Sequence, residues 1–115
     1  MTFEGGTRAF HKLYSLHTPP DAIICSGDFT ALGVVKAAQK AGVSIPETLA
    51  VSGFANEDFT QYISPSITTI NQKGREVGRV AANQFLSICD SPKTIHSLIE
   101  PELLIRESTQ KLSNQ

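Results

Sequence analysis

Apolar and polar residues recur along this chain with two different periods. From Phe3 to about Leu16, Ala9, Leu13 and Leu16 fall at i, i+4 and i+7 with Phe10 and Tyr14 beside them. Arg8, His11 and Lys12 occupy the other side, which is the pattern of a helix with one buried stripe. Thr2 stands where an N-cap belongs, and Glu4 lies in the first turn, where negative charge suits the helix dipole. Thr18-Pro19-Pro20-Asp21 forbids helix and delivers the chain into a short apolar run from Ala22 to Ser26. A helical pattern then runs from Phe29 to Ala41, stops at Gly42 with Pro46 beyond it, and gives way to a second short run, Leu49 to Ser52.

Strand, helix, strand at that spacing is a βαβ unit, because parallel neighbours need a crossover of about a dozen residues. The fold class expected is therefore α/β, a doubly wound, Rossmann-like parallel sheet. Ligands of such sheets sit at the carboxyl ends of the strands, here Gly27-Asp28 and Phe54-Ala55-Asn56. Asp28 reads as the N-cap of the central helix, with direct contact to a ligand as the alternative. Ala31, Val34, Val35, Ala38 and Ala41 share the arc that should lie on the sheet. Phe29, Leu32 and Lys36 fall opposite, and large apolar residues on a face expected to be wet point to a partner.

Beyond the polar turn at Asn56, a short helical piece reaches Tyr62 and is stopped by Ser64-Pro65. Ile67 to Ile70 reads as a third strand, broken by Asn71-Gln72-Lys73-Gly74, and an amphipathic helix follows from Arg75 to Cys89 with Val77, Ala81, Phe85 and Ile88 on one face. Two strand-like runs, Thr94 to Ile99 and Leu103 to Arg106, are separated by Pro101, and Ser108 to Gln115 reads as a disordered polar tail. Only about three strands are available to the main sheet, below the usual four to six, so the chain reads as part of a domain.

Composition narrows the function classes. A chain of 115 residues with 40% hydrophobic and 18% charged residues is at most one ordinary globular domain. Ten basic against eleven acidic residues leave a net charge of -1 with no basic run, so DNA contact by this segment is not expected. No signal-like N-terminus and no apolar run near the roughly 18 residues of a membrane span are present, and a cytoplasmic location with no membrane partner is expected. Cys25, inside a strand that should be buried, and Cys89 are expected to remain free thiols. His11, His17 and His96 have no metal-ligand spacing, and no metal or cofactor is expected. Cys25-Ser26-Gly27 lacks the glycine of a nucleophile elbow, since Ile24 occupies that place. A single glycine followed by an acid excludes a phosphate loop at Ser26-Gly27-Asp28. Glu57 and Asp58 are adjacent carboxylates that should point apart at a solvated helix start, so no catalytic residues are assigned.

Four blocks carry a family resemblance: DAIICSGDFTALGVVKAAQKAG, IPETLAVSGFANED, SPSITTINQKGREVGRVAANQFL and ELLIRES. Their order and spacing resemble the closing half of the effector-binding domain of the lactose-repressor family of bacterial transcription regulators. The resemblance implies one incomplete lobe of a periplasmic-binding-protein-like domain over residues 1–72, a segment crossing to the other lobe over 73–100, a returning strand over 101–107 and a tail over 108–115. It also implies a binding module and not an enzyme, with a small effector, often a sugar, altering the DNA affinity of a helix-turn-helix located elsewhere.

Two positions that carry ligand-facing polar residues in many such regulators, an Asn and an Asp, are Gly27 and Ala55 here. Phe54, Asn56, Gln72 and Asp28 remain as candidate ligand contacts, Phe54 being equally readable as a core aromatic at the strand end. Resembling regulators dimerise through the region of Phe29, Leu32, Lys36, Phe59 and Tyr62, so a homodimer is expected. A periplasmic solute-binding protein is the rival within the fold, and a small α/β enzyme using Asp28 or Glu57 is the rival outside it. The helix from Arg75 to Cys89, deprived of its lobe, is expected to fold back on the sheet edge or to pack on a second chain, with the second favoured.

Overall fold

The computed structural model describes residues 1–111. Its elements are α1 (Phe3–Tyr14), β1 (Ala22–Ile24), α2 (Asp28–Lys40), β2 (Ala50–Ser52), one turn of 3-10 helix (Asp58–Gln61), β3 (Thr69–Asn71), α3 (Gly74–Asp90) and β4 (Glu102–Leu104). β1 and β2 pair in parallel, Ile23 opposite Val51, and a parallel bridge from Ser52 to Thr68 carries the sheet on to β3. β4 returns antiparallel to β3, Ile70 opposite Leu103. The parallel α/β sheet expected from the βαβ spacing is therefore present, closed on one side by an antiparallel return strand.

Helix ends follow the local chemistry. Thr2 caps α1, its Oγ1 accepting from the Gly5 N–H at 3.0 Å. Gly42, at φ 73°, provides the left-handed residue that ends α2 after the Ala41 cap. α2 is buried on two sides: Ala31, Val34, Val35 and Ala38 join Leu49, Val51 and Ile67 in the core, while Ala41 is exposed at the cap, outside the predicted stripe. Its second side receives α1. A Cβ on Gly6 would overlap the Thr30 carbonyl and one on Gly33 would overlap the Phe3 carbonyl, so the two helices touch backbone to backbone through these glycines. Phe10 fills the remaining space, buried and stacked on Tyr14.

Several boundaries depart from the pattern reading. α1 stops at Tyr14, and Leu16 is exposed. The third strand lies at Thr69–Asn71 instead of Ile67 to Ile70, because Ile67 and Thr68 are engaged by the chain around Arg106 and Ser108. Thr94 to Ile99 forms no strand, and of the run from Leu103 to Arg106 only Leu103 and Leu104 belong to β4. Ser108, assigned above to a disordered tail, is fully buried: its backbone C=O accepts from Val51 N–H at 3.0 Å, and its hydroxyl donates to the Val51 carbonyl and accepts from Thr68 N–H. Thr109 and Gln110 continue the turn, their N–H groups donating to the Arg106 and Glu107 carbonyls at 3.3 and 3.2 Å, and only 112–115 of that expected tail lies outside the described residues.

α3 follows a tight hinge in which Lys73 takes a left-handed conformation, φ 53°, and its N–H donates to Asn71 Oδ1 at 2.9 Å. No residue of α3 is buried, and Val77, Phe85 and Ile88 remain on an open face. The radius of gyration, 18.2 Å, exceeds the roughly 13 Å of a compact chain this long, and the molecule is 59 Å in its longest dimension. Folding back of α3 onto the sheet is not observed.

Candidate functional site

The carboxyl ends of β1 and β2 meet at a carboxylate. β1 runs out through Cys25 and Ser26 to Gly27, whose extended backbone is the N-cap residue of α2 and supplies no side-chain cap. Asp28, read from sequence as that cap, is instead the first residue inside the helix, and it is buried. Its side chain turns away from the helix end. Oδ1 accepts from the Thr69 hydroxyl at 2.7 Å, and Oδ2 accepts from the Glu57 N–H at 2.7 Å. Gly53 allows this, since a Cβ there would collide with Asp28 Oδ1. One carboxylate thus joins the ends of β1, β2 and β3.

That junction shapes the turn after β2. Asp28 N–H donates to the Phe54 carbonyl at 3.2 Å, Ala55 N–H to the Ile70 carbonyl at 3.0 Å, and Asn56 N–H to Thr69 Oγ1 at 3.2 Å. Ala55 and Asn56 both have positive φ, 117° and 59°, a region that residues with side chains seldom occupy. The turn turns the Phe54 side chain outward, 37% exposed, toward a recess of about 280 Å³.

Ser26, Gly27, Phe29, Phe54, Ala55 and Glu57 line that recess together with Asp28, Gln72 and Met1. Of the sequence candidates, Phe54, Gln72 and Asp28 are thus brought to one place. Asn56 is not among the lining residues: its Oδ1 is taken by Arg106 Nη2 at 3.0 Å. Sequence reading missed Ser26 and Met1 as lining residues and Thr69 and Arg106 as supports. An arginine inside the apolar run Leu103 to Arg106 was the available signal, because a charge on a strand that packs on a core needs partners.

Gly27 and Ala55 leave the floor of the recess without hydrogen-bonding side chains, and Met1 Sδ comes to 3.2 Å from where a Gly27 Cβ would stand. The polar side chains lining it are Ser26, Asp28, Glu57 and Gln72, and the aromatic ones are Phe29 and Phe54. Beneath the recess Cys25 is buried, and burial, helped by the nearby Asp28 carboxylate, pushes its thiol up to about 11. A thiol so held is neutral and a poor nucleophile. Among the described residues no three His, Cys, Asp or Glu side chains converge as a metal site, and no helix is long and apolar enough to cross a membrane.

The dimer candidates lie beside this site. The rings of Phe29 and Phe59 meet at 5.0 Å between centroids, tilted by 50°, which joins the start of α2 to the 3-10 turn. Phe29 is 49% and Tyr62 80% exposed, Lys36 is exposed, and Leu32 is half-buried against the core.

Comparison with known proteins places this architecture. Residues 2–109 match the model of the periplasmic binding protein-like domain. The HTH-type transcriptional repressor CytR of Escherichia coli K12 is 40% identical over 117 aligned residues, covering 97% of this chain and 33% of that protein. An uncharacterized protein from Actinobacillus succinogenes superposes with a TM-score of 0.90 at 31% identity, over 95% of this chain and 41% of that one. A LacI family transcriptional regulator from Arthrobacter sp. FB24, solved in complex with lactose, gives 0.83 at 30% identity, over 95% and 42%. The chain spans about a third of the length of the curated relatives it matches. It belongs to the periplasmic binding protein-like domain family, in the form carried by regulators of the lactose-repressor (LacI) family.

Proposed function

We propose that this chain forms part of the effector-sensing domain of a bacterial transcription regulator, and that the recess at the carboxyl ends of β1 and β2 is its share of the effector site. The observation that carries the reading is the convergence of Ser26, Phe54 and Gln72, from three separate segments, on one recess in a chain of this family. The effector is a small carbohydrate. Phe54 and Phe29 offer ring faces to the apolar side of a sugar, and Gln72, Ser26 and Glu57 offer hydrogen bonds to its hydroxyls. The lactose complex of the Arthrobacter relative supports this class of ligand. Asn56 and Asp28, whose side-chain oxygens are engaged within the protein, shape the site from behind.

The chain acts by binding and not by catalysis, in the cytoplasm, and DNA is contacted by a segment outside it. Two copies pair through the surface of Phe29, Lys36, Phe59 and Tyr62, with Leu32 supporting it from beneath. Calorimetric titration of the full-length regulator with pentoses, hexoses and disaccharides tests the site. Gln72→Ala is expected to weaken binding of the responding sugar about tenfold, equivalent to about 1.4 kcal/mol. Equal affinity in Gln72→Ala and Phe54→Ala would remove the recess from the site. Tyr62→Glu, which leaves the core intact, is expected to shift the protein to monomer in analytical ultracentrifugation.

A further inference from the structure

The run Leu103–Ser108 lines no part of the recess, yet one of its residues holds the recess wall. Arg106 lies two positions beyond the end of β4. Its N–H donates to Thr68 Oγ1 at 2.8 Å and its carbonyl accepts from the same hydroxyl at 3.1 Å, so its backbone is pinned. Its guanidinium then reaches three acceptors on separate segments. Nη1 donates to Thr60 Oγ1 at 2.7 Å and to the Ile67 carbonyl at 3.1 Å, and Nη2 donates to Asn56 Oδ1 at 3.0 Å. Thr60 passes the contact on, its hydroxyl donating to the Glu57 carbonyl at 2.6 Å.

All three acceptors are uncharged, so this cation is not placed to neutralise an acid. What Arg106 contributes is a rigid planar fork whose donors fix the relative positions of the groups they touch. The segment it fixes needs holding. Ala55 and Asn56 lie in the left-handed region without being glycine, and such backbone persists only where its surroundings over-determine it. On the far side, β4 is paired with β3 in the register Asn71 to Glu102, so Arg106 follows directly on the two-stranded ribbon through which the chain leaves for α3 and returns.

We propose that Arg106 is a positioning residue that ties this β3–β4 ribbon to the recess wall, holding the Ala55-Asn56 turn in its left-handed form. A displacement of the ribbon against β2 then releases the turn, and with it the placement of Phe54. The functional consequence rests on the effector-site reading given above, whereas the hold itself is measurable with no effector present.

Residue-resolved amide hydrogen exchange on the whole chain provides the test. Asn56 and Glu57 report on the turn, and Cys25 and Ala50, bonded across β1 and β2 to Ser52 and Asp21 carbonyls, report on the rest of the fold. Arg106→Ala is expected to speed exchange at Asn56 and Glu57 by about tenfold relative to Cys25 and Ala50, as a local opening does. Arg106→Lys, one point donor in place of a fork, restores this only in part. Asn56→Ala leaves Arg106 its bonds to Thr60 and Ile67 and is expected to reproduce the local effect, so it decides the matter if Arg106→Ala does not fold. Parallel acceleration of all four amides, or no acceleration at Asn56 and Glu57 in Asn56→Ala, overturns the proposal. A failed sugar titration leaves this exchange result untouched, so the two readings fall separately.

Discussion

Asp28 and Thr69, 41 residues apart in the chain, are joined by a 2.7 Å hydrogen bond in which the threonine hydroxyl donates to the carboxylate. The other oxygen of Asp28 takes the Glu57 N–H, and Thr69 Oγ1 itself accepts from Asn56 N–H. Removing the carboxylate strands donors in a buried place, at about 1–3 kcal/mol for each unsatisfied group. Asp28→Ala is therefore expected to lower the urea midpoint strongly, and Asp28→Asn, which retains one acceptor, to lower it less. Gly53→Ala should resemble Asp28→Ala, because its methyl group displaces the same oxygen. An Asp28→Ala variant with the wild-type midpoint would show that this junction does not hold the strands.

Why Asp28 was misread as a cap follows from the same geometry. Thr2 and Gly42 were legible because capping depends on residues within one turn of the helix end. The βαβ unit was legible for a similar reason, since its length and periodicity are local. Asp28 has the right residue type at the right place for a cap, and only Thr69 and Glu57, far off in sequence, reveal its different partners. The partner of Asn56 is equally remote, because Arg106, which donates to its Oδ1, arrives 50 residues later. Ser108 reads as tail because polarity and terminal position outweigh, in a sequence, the two hydrogen bonds its hydroxyl makes in the core. The α1–α2 contact left a readable trace, glycines at positions 6 and 33 inside helical patterns, whose reason is the close approach of two backbones.

The two cysteines should separate by chemistry. Cys25 is buried and its thiol is pushed up from 9.0 to about 11, first by burial and then by Asp28, whereas Cys89 is exposed on α3. Ellman's reagent is expected to titrate one thiol rapidly in the native protein and both in denaturant. Rapid reaction of Cys25 in the native state would mean that β1 opens readily. In that case its reaction rate would measure local opening instead of thiol acidity.

Stability should carry a small acid-side dependence through Glu107. Its Oε2 accepts from the Ser66 N–H at 2.8 Å and from the Ser66 hydroxyl at 3.0 Å, which lowers its pKa below the ordinary 4.5. Because the folded value is depressed, the contribution is complete above the unfolded carboxylate's value and disappears as pH falls through the folded one. The group is fully exposed, so the effect is modest and weakened by salt. The difference in urea midpoint between wild type and Glu107→Gln is expected to shrink between about pH 7 and about pH 3. A difference independent of pH would assign the effect to geometry and not to charge.

α3 poses the last question, since a helix of 17 residues with no buried side chain has little to stabilise it. Isolated helices of about 12–15 residues are marginal in water, and most helical stability in proteins comes from packing an apolar face. That face is present: Phe85 is 66%, Val77 45% and Ile88 41% exposed, and each large side chain gains roughly 1.5–3 kcal/mol when fully buried. The hinge at Lys73 directs α3 away from its own sheet, so among the described residues nothing covers the face, and a second copy is the available partner when the chain is studied alone. Exchange protection from Val77 to Ile88 is therefore expected to rise with protein concentration, together with the sedimentation coefficient, while protection at Cys25 and Ala50 stays constant. Phe85→Lys should abolish the concentration dependence at α3 without affecting those two amides. Protection that survives dilution into the monomeric range would mean that α3 folds back after all, and no protection at any concentration would mean that the helix forms only with the rest of a longer protein.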